Sequence, residues 1–159
     1  MLFHFFRKLR DDISGVGFVE LALTAPLLAL MFLGMTDLSI IVASRIDLEQ
    51  AAQRTTDLAL AKRPTSTDTS YLVAEAMDAS GRPASDVTVT YILECNGTVM
   101  SSFNDTCAAG EVPKRFVSVS IIEPVATGFN WRGLAGMFTG QVAAYEGTTV
   151  TGDSIVRLQ

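Results

Sequence analysis

Hydrophobic and polar positions fall into three regimes along the chain. Residues 16–36, VGFVELALTAPLLALMFLGMT, form a run of 21 residues whose only charge is Glu20. A membrane-spanning helix needs roughly 20 predominantly apolar residues, and a helix buried in a soluble core would show a polar face that this run lacks. From Leu38 to Lys62 there is no glycine or proline, and Ile41, Arg45, Leu48, Ala52, Thr55 and Leu58 or Ala59 recur at three- and four-residue steps. That period predicts a continuing helix ended by Pro64, with Arg45, Asp47, Glu49, Arg54 and Asp57 mostly solvated. From Val16 to Lys62 it would run roughly 70 Å at 1.5 Å per residue.

Beyond the polar joint Pro64-Thr65-Ser66-Thr67-Asp68, a short helix is predicted from a cap at Thr69 or Ser70 through Asp78, closed by Ser80-Gly81. The period then changes to two. Val87, Val89, Tyr91 and Leu93 alternate with Thr88, Thr90 and Ile92, and in Phe116–Ile122 the residues Val117, Val119 and Ile121 share one side. Both segments predict strands. Gln141 to Leu158, broken by Gly147 and Gly152, predicts one or two more, for an antiparallel sheet of three or four members. Between them, Pro124–Gly140 places Phe129, Trp131, Leu134, Met137 and Phe138 among glycines. It reads as a loop folded onto its own core, or as an apolar docking patch for a partner subunit or the membrane surface.

The expected fold class is therefore α+β: a long N-terminal membrane-spanning helix continues into a stalk packed on a small antiparallel sheet. The expected organisation is a leader over 1–15, a transmembrane helix over 16–37, a helical stalk over 38–63 and an α+β head over 64–159.

Charge sets the orientation and removes several function classes. Arg7, Lys8 and Arg10 precede the run, whereas its far flank begins with Asp37. By the positive-inside rule the N-terminus is cytoplasmic and the head lies across the membrane. A secretory signal peptide competes, but its apolar region is shorter, about 7–15 residues. With a net charge of −5 and a pI near 4.7 the chain repels phosphate backbones, so nucleic acid is not an expected partner. The single histidine, His4, is at the extreme N-terminus. No histidine-based catalysis, metal site or cofactor is expected, and no phosphate loop, HExxH or nucleophile elbow occurs. The outer acids are scattered and nominate no catalytic pair.

Cys95 and Cys107 enclose 11 residues that include Asn96-Gly97 and Asn104-Asp105 as turn signals. Zinc would want further ligands and a catalytic thiol a histidine. In an oxidising compartment a disulfide is expected. The sequons at Asn96 and Asn104 read as turn chemistry.

Glu20 is the anomaly of the apolar run. A charge in the membrane costs on the order of 2.5–3.5 kcal/mol even on the lenient insertion scale. It lies near the interface and is simply solvated or protonated, or it is answered by a partner. If the chain were cut after Gly15, the new α-amine of Val16 would lie four residues away on the same helical face, in this subunit or a neighbour. Pro26 removes one backbone donor and crowds the carbonyl of Ala22. It reads as a mild kink, or as a weak point that lets the helix bend or locally melt as a subunit leaves the bilayer.

Gly15-Val16-Gly17-Phe18-Val19-Glu20 after a short basic leader resembles the processing site of type IV prepilins and pseudopilins, with glycine at −1 and an acid at +5. The wider run, with Val19-Glu20, Pro26, Gly34 and Asp37, is similar to the TadE/TadG-like proteins of the Tad (Flp) pilus system. The similarity covers mainly residues 7–62, with a weaker echo at Ile155-Val156-Arg157-Leu158. Leu21 departs from it, since an aromatic is common there, as do Asp11 and Asp12 in the leader. The resemblance implies a pilin-like fold and a minor pseudopilin of an adhesive pilus. Its implied partners are a prepilin peptidase, other pilins and pseudopilins, pilus-assembly platform proteins and membrane lipid. The implied location is the bacterial inner membrane, with the head in the periplasm. The rival expectations are an unprocessed single-pass envelope scaffold or sensor and, remotely, an anchored hydrolase.

Overall fold

A computed structural model describes residues 16–140 and 148–158. The leader with Gly15, and residues 141–147 with Gly147, lie outside them.

Helix α1, Val16–Ala61, is one unbroken helix of 46 residues that includes Pro26. It has two different surfaces. From Gly17 to Met35 no residue is buried, and only Leu30 and Gly34 are even partly covered. From Asp37 onward one face is covered, with Leu48, Ala51, Ala52, Thr55, Thr56 and Ala59 buried. The predicted stripe is buried at Leu48, Ala52, Thr55 and Ala59, and Arg45 is solvated as expected, paired with Glu49. The covered face is built from small residues, which lets the sheet approach the helix axis closely. Its hydroxyls are satisfied: Thr55 Oγ1 donates to the Ala51 carbonyl at 2.9 Å, and Thr56 Oγ1 bonds the Ser154 hydroxyl across the interface.

Helix α2, Ser70–Ser80, buries Leu72 and Ala76 and ends at Gly81 in the left-handed conformation, φ 67°. It runs past the predicted end at Asp78. The Thr69 side chain makes no capping bond; the Asp68 carboxylate, one residue earlier, accepts from the Ser70 amide at 2.9 Å. Arg54 of α1 reaches Glu75 at 2.7 Å and ties α2 to the stalk.

Four strands follow: β1 (Val87–Cys95), β2 (Thr98–Val99), β3 (Pro113–Val125) and β4 (Thr148–Arg157). They form one antiparallel sheet in the order β2-β1-β3-β4. β1 and β2 are joined by Asn96-Gly97, with φ of 50° and 92°. A two-residue type I′ turn needs positive φ at both central positions, hence Asn-Gly. Tyr91–Val117–Val156, Val89–Val119–Ser154 and Val87–Ile121–Gly152 are rows across the sheet. Val117, Val119 and Ile121 are fully buried, as the alternation predicts. Cys95 and Cys107 are joined in a disulfide.

Two expectations are corrected. Gly152 does not break a strand; it lies inside β4, at the point where α1 crosses the sheet. A Cβ there would collide with the carbonyl carbon and side chain of Leu48 and the amide of Glu49. Pro124–Gly140 is not a loop throughout, because Trp131–Thr139 form a third helix, α3. The Asn130 side chain caps it by accepting from the Gly133 amide at 2.7 Å, and Gly140 closes it at φ 71°.

Pairs along the interface fix how helix and sheet run. Thr56 meets Ser154, Leu48 meets Gly152, Ser44 donates to Glu123 at 2.6 Å, and Asp37 meets Gly128. β3 therefore runs antiparallel to α1, towards the bare half of the helix. The chain leaving β3, with α3, forms the base of the head.

Candidate functional site

The apolar half of α1 offers the environment for one ionisable group, Glu20. Its carboxylate stands on an exposed helix surface, and among the described residues no basic side chain pairs with it. Thr24 bonds the Glu20 carbonyl at 2.9 Å, which occupies the backbone and leaves the carboxylate aside. Val16 is the first residue of the helix, so the four-residue spacing to Glu20 is helical throughout. Gly15, on the other side of the expected cut, lies outside the described residues. At Pro26 the helix continues.

The sequence marks Asp37 as the first charge past the apolar run and as part of the TadE/TadG-like pattern. It is also 4% exposed and fastens the base of the head to the helix. Its Oδ1 accepts from the Gly128 amide at 2.8 Å, and its Oδ2 from the Phe129 amide at 3.3 Å and the Trp131 indole at 2.6 Å. A carboxylate is tolerated in such a place because charge-assisted donors surround it. A side chain at Gly128 would bring a Cβ 3.3 Å from Oδ1, so the absence of one keeps that amide close. The indole also covers Gly34, where an added Cβ would sit 3.6 Å from its Cη2 and Cζ2. Phe129 packs on Trp131 edge to face, with centroids 4.7 Å apart. Gly34 and Asp37, one turn apart, thus form a socket for the sole tryptophan of the chain.

The donors of this socket were missed in the sequence. The available signal was a lone acid at the end of an apolar run, which needs donors, and a lone indole N–H in a glycine-rich segment, which needs an acceptor.

An open groove of about 470 Å³ lies between α1 and α2, lined by Asp47, Gln50, Arg54, Ser80 and Glu123. Of its two acids, Glu123 is engaged structurally. Glu123 accepts from Ser44 and lies 3.3 Å from Arg82, which also binds Asp86 at 3.1 Å. The one grouping of metal-ligand type among the described residues is Cys95, Cys107 and Glu111. Its sulfurs form the disulfide, so it holds no thiolate to offer a metal. Tyr91 at the far end of the head has its phenol pushed up by burial first and then by Tyr71; it donates to the Asp68 carbonyl.

By length and composition α1 is a candidate membrane anchor, with an apolar stretch that the protein itself leaves uncovered. Residues 15–57 match the family described as TadE-like protein. The match takes in Gly15, the bare half of α1 and most of its packed half; the sheet falls outside it. It agrees with the resemblance carried by Glu20, Pro26, Gly34 and Asp37 and suggests involvement in Tad pilus assembly. No match was found among curated proteins or among solved structures.

Proposed function

We propose that this chain is a minor pseudopilin-like subunit acting in assembly of a Tad/Flp-type adhesive pilus. It enters the bacterial inner membrane with its N-terminus in the cytoplasm and its head in the periplasm. A prepilin peptidase cuts after Gly15. The α-amine released on Val16, of this subunit or a neighbour, answers the Glu20 carboxylate and sets the register between packed helices. The head presents its surface to other pilins, pseudopilins and platform proteins, and the chain works by assembly, without a catalytic centre.

The observation that carries this reading is the division of α1. One half is clothed by its own head; the other is an uncovered apolar rod with a single carboxylate near its start that no basic side chain among the described residues answers. In lipid such a carboxylate is costly unless something neutralises it, and the TadE-like match covers that same half.

Mass spectrometry of the membrane-extracted protein tests the cut. A mature N-terminus at Val16 is expected; an intact 15-residue leader would favour an unprocessed envelope scaffold or sensor. Glu20→Gln removes the charge while keeping the shape. It is expected to abolish pilus assembly or incorporation of the subunit, and normal assembly would sink the pairing.

A further inference from the structure

Helix α3 carries an apolar face that the head uses only in part. At 100° per residue, Trp131, Leu134, Met137 and Phe138 fall on one side and Arg132 and Thr139 on the other. Trp131 is spent on the socket at Gly34 and Asp37. Met137 and Phe138 are 83% and 84% exposed, the most uncovered of the large apolar side chains of the head among the described residues.

The position of α3 says what covers them. β3 runs antiparallel to α1 and delivers the chain to the base of the head, where Trp131 rests on Gly34, inside the apolar run. Asp37 marks no sharp edge of the apolar surface, because its charge is already satisfied by protein donors and Leu38 and Val42 beyond it are exposed. With about 20 residues needed to cross the hydrocarbon, a span beginning near Val16 ends at the level of Gly34 to Asp37. Tryptophan is enriched at that level of membrane proteins. Helices with one apolar and one cationic side lie in the same zone, their apolar face about 5–10 Å deep.

We propose that α3 is an interfacial helix that seats the head on the outer leaflet of the bilayer crossed by α1. Met137 and Phe138 enter the boundary between headgroups and acyl chains, and Arg132, exposed on the other side, reaches lipid phosphates. The occupant of this face is phospholipid. The inference rests on α1 spanning the membrane and not on processing at Gly15.

The test uses the full chain reconstituted in vesicles of phosphatidylethanolamine and phosphatidylglycerol. Nitroxide labels are placed singly by Met137→Cys and Phe138→Cys, with Leu28→Cys in the span and Ser66→Cys in the polar joint as references. The native cysteines are paired and take no label. At 137 and 138, collisions with oxygen should exceed those with a water-soluble nickel chelate several-fold, as at 28 and opposite to 66. Nickel-favoured collisions at 137 and 138 with an oxygen-favoured label at 28 would place α3 in water and overturn the proposal while the span stands. Low collision rates with both reagents would mean that a protein surface, a second copy or a partner, covers α3, and would overturn it equally. A nickel-favoured label at 28 would remove the span itself, and the proposal with it.

Discussion

Replacing Asp37 by alanine removes the acceptor of three donors at once: the Gly128 and Phe129 amides and the Trp131 indole. Hydrogen bonds to a charged group contribute about 1.5–3 kcal/mol each. The full sum is not expected here. The Phe129 bond is long at 3.3 Å, Gly128 lies on an exposed segment where water can replace the lost acceptor, and the cost of burying the carboxylate disappears with it. A net loss of about 3 kcal/mol in docking the segment is reasonable, or roughly 100-fold in its opening equilibrium at 1.4 kcal/mol per decade.

The loss should be local. The sheet is held to α1 further up, at Leu48–Gly152 and Thr56–Ser154, so the base can detach while the core stays folded. Hydrogen exchange on the full chain separates these outcomes. Asp37→Ala should lower protection about 100-fold over residues 126–131 and leave β3 at Val117–Ile121 unchanged. The emission of Trp131, the only tryptophan, should shift to the red. Asp37→Asn, which keeps one carbonyl but offers donors to donors, should fall between, at about tenfold. Unchanged protection at 126–131 would refute the fastening role of Asp37, and equal loss across β3 would refute its being local.

Gly152→Ala forces a methyl group into the backbone of α1 and should destabilise the head by at least about 1–3 kcal/mol in urea unfolding, whereas Gly17→Ala, with nothing within 4 Å of the added carbon, should not. The double change Cys95→Ser and Cys107→Ser should cost about 2–3 kcal/mol by the same assay, from the freed loop in the unfolded chain, and leave the helical signal of α1 intact. The Asp68 carboxyl is held below its ordinary 3.8 by hydrogen bonds from the Ser70 amide and hydroxyl. A depressed folded value means that its contribution is complete above that ordinary value and is lost as the pH falls through the lowered one. The Ser70 amide resonance should therefore titrate below pH 3.8 and stay constant at neutral pH.

What was legible in the sequence followed from period and length. The inward faces of β1 and β3 and the junction of the apolar run with the amphipathic stalk are written in short repeats that local sterics enforce. Asn96-Gly97 and the two cysteines carried their own chemistry. What was illegible depended on distant partners. Gly152 reads locally as a strand breaker, because nothing nearby announces that Leu48 will lie against it. α3 was hidden by Gly133 and Gly136, which depress helix propensity, although Asn130 as a cap and the apolar spacing of 131, 134 and 138 were present. Asp37 was seen as a flank charge, and its socket draws on donors more than 90 residues away.

The spacing of the contacts along α1 has a mechanical consequence. Asp37 and Leu48 are fixed to the base and the middle of the sheet, about 16 Å apart at 1.5 Å per residue, with Ser44–Glu123 between them. Two separated anchors prevent both sliding and rotation of the head on the helix, so the head follows α1 as one body. Below Gly34 no such anchor exists: the described head covers none of the residues from Gly17 to Leu33 to the point of burial. A force or packing contact transmitted along that bare rod therefore meets no hinge between helix and head. The first head contacts to be strained are those at the Asp37 socket. A subunit leaving the bilayer must also withdraw any part of α3 seated in lipid, so the socket and the interfacial face of α3 would oppose extraction together. Weakening either should ease removal of the chain from the membrane without unfolding the sheet.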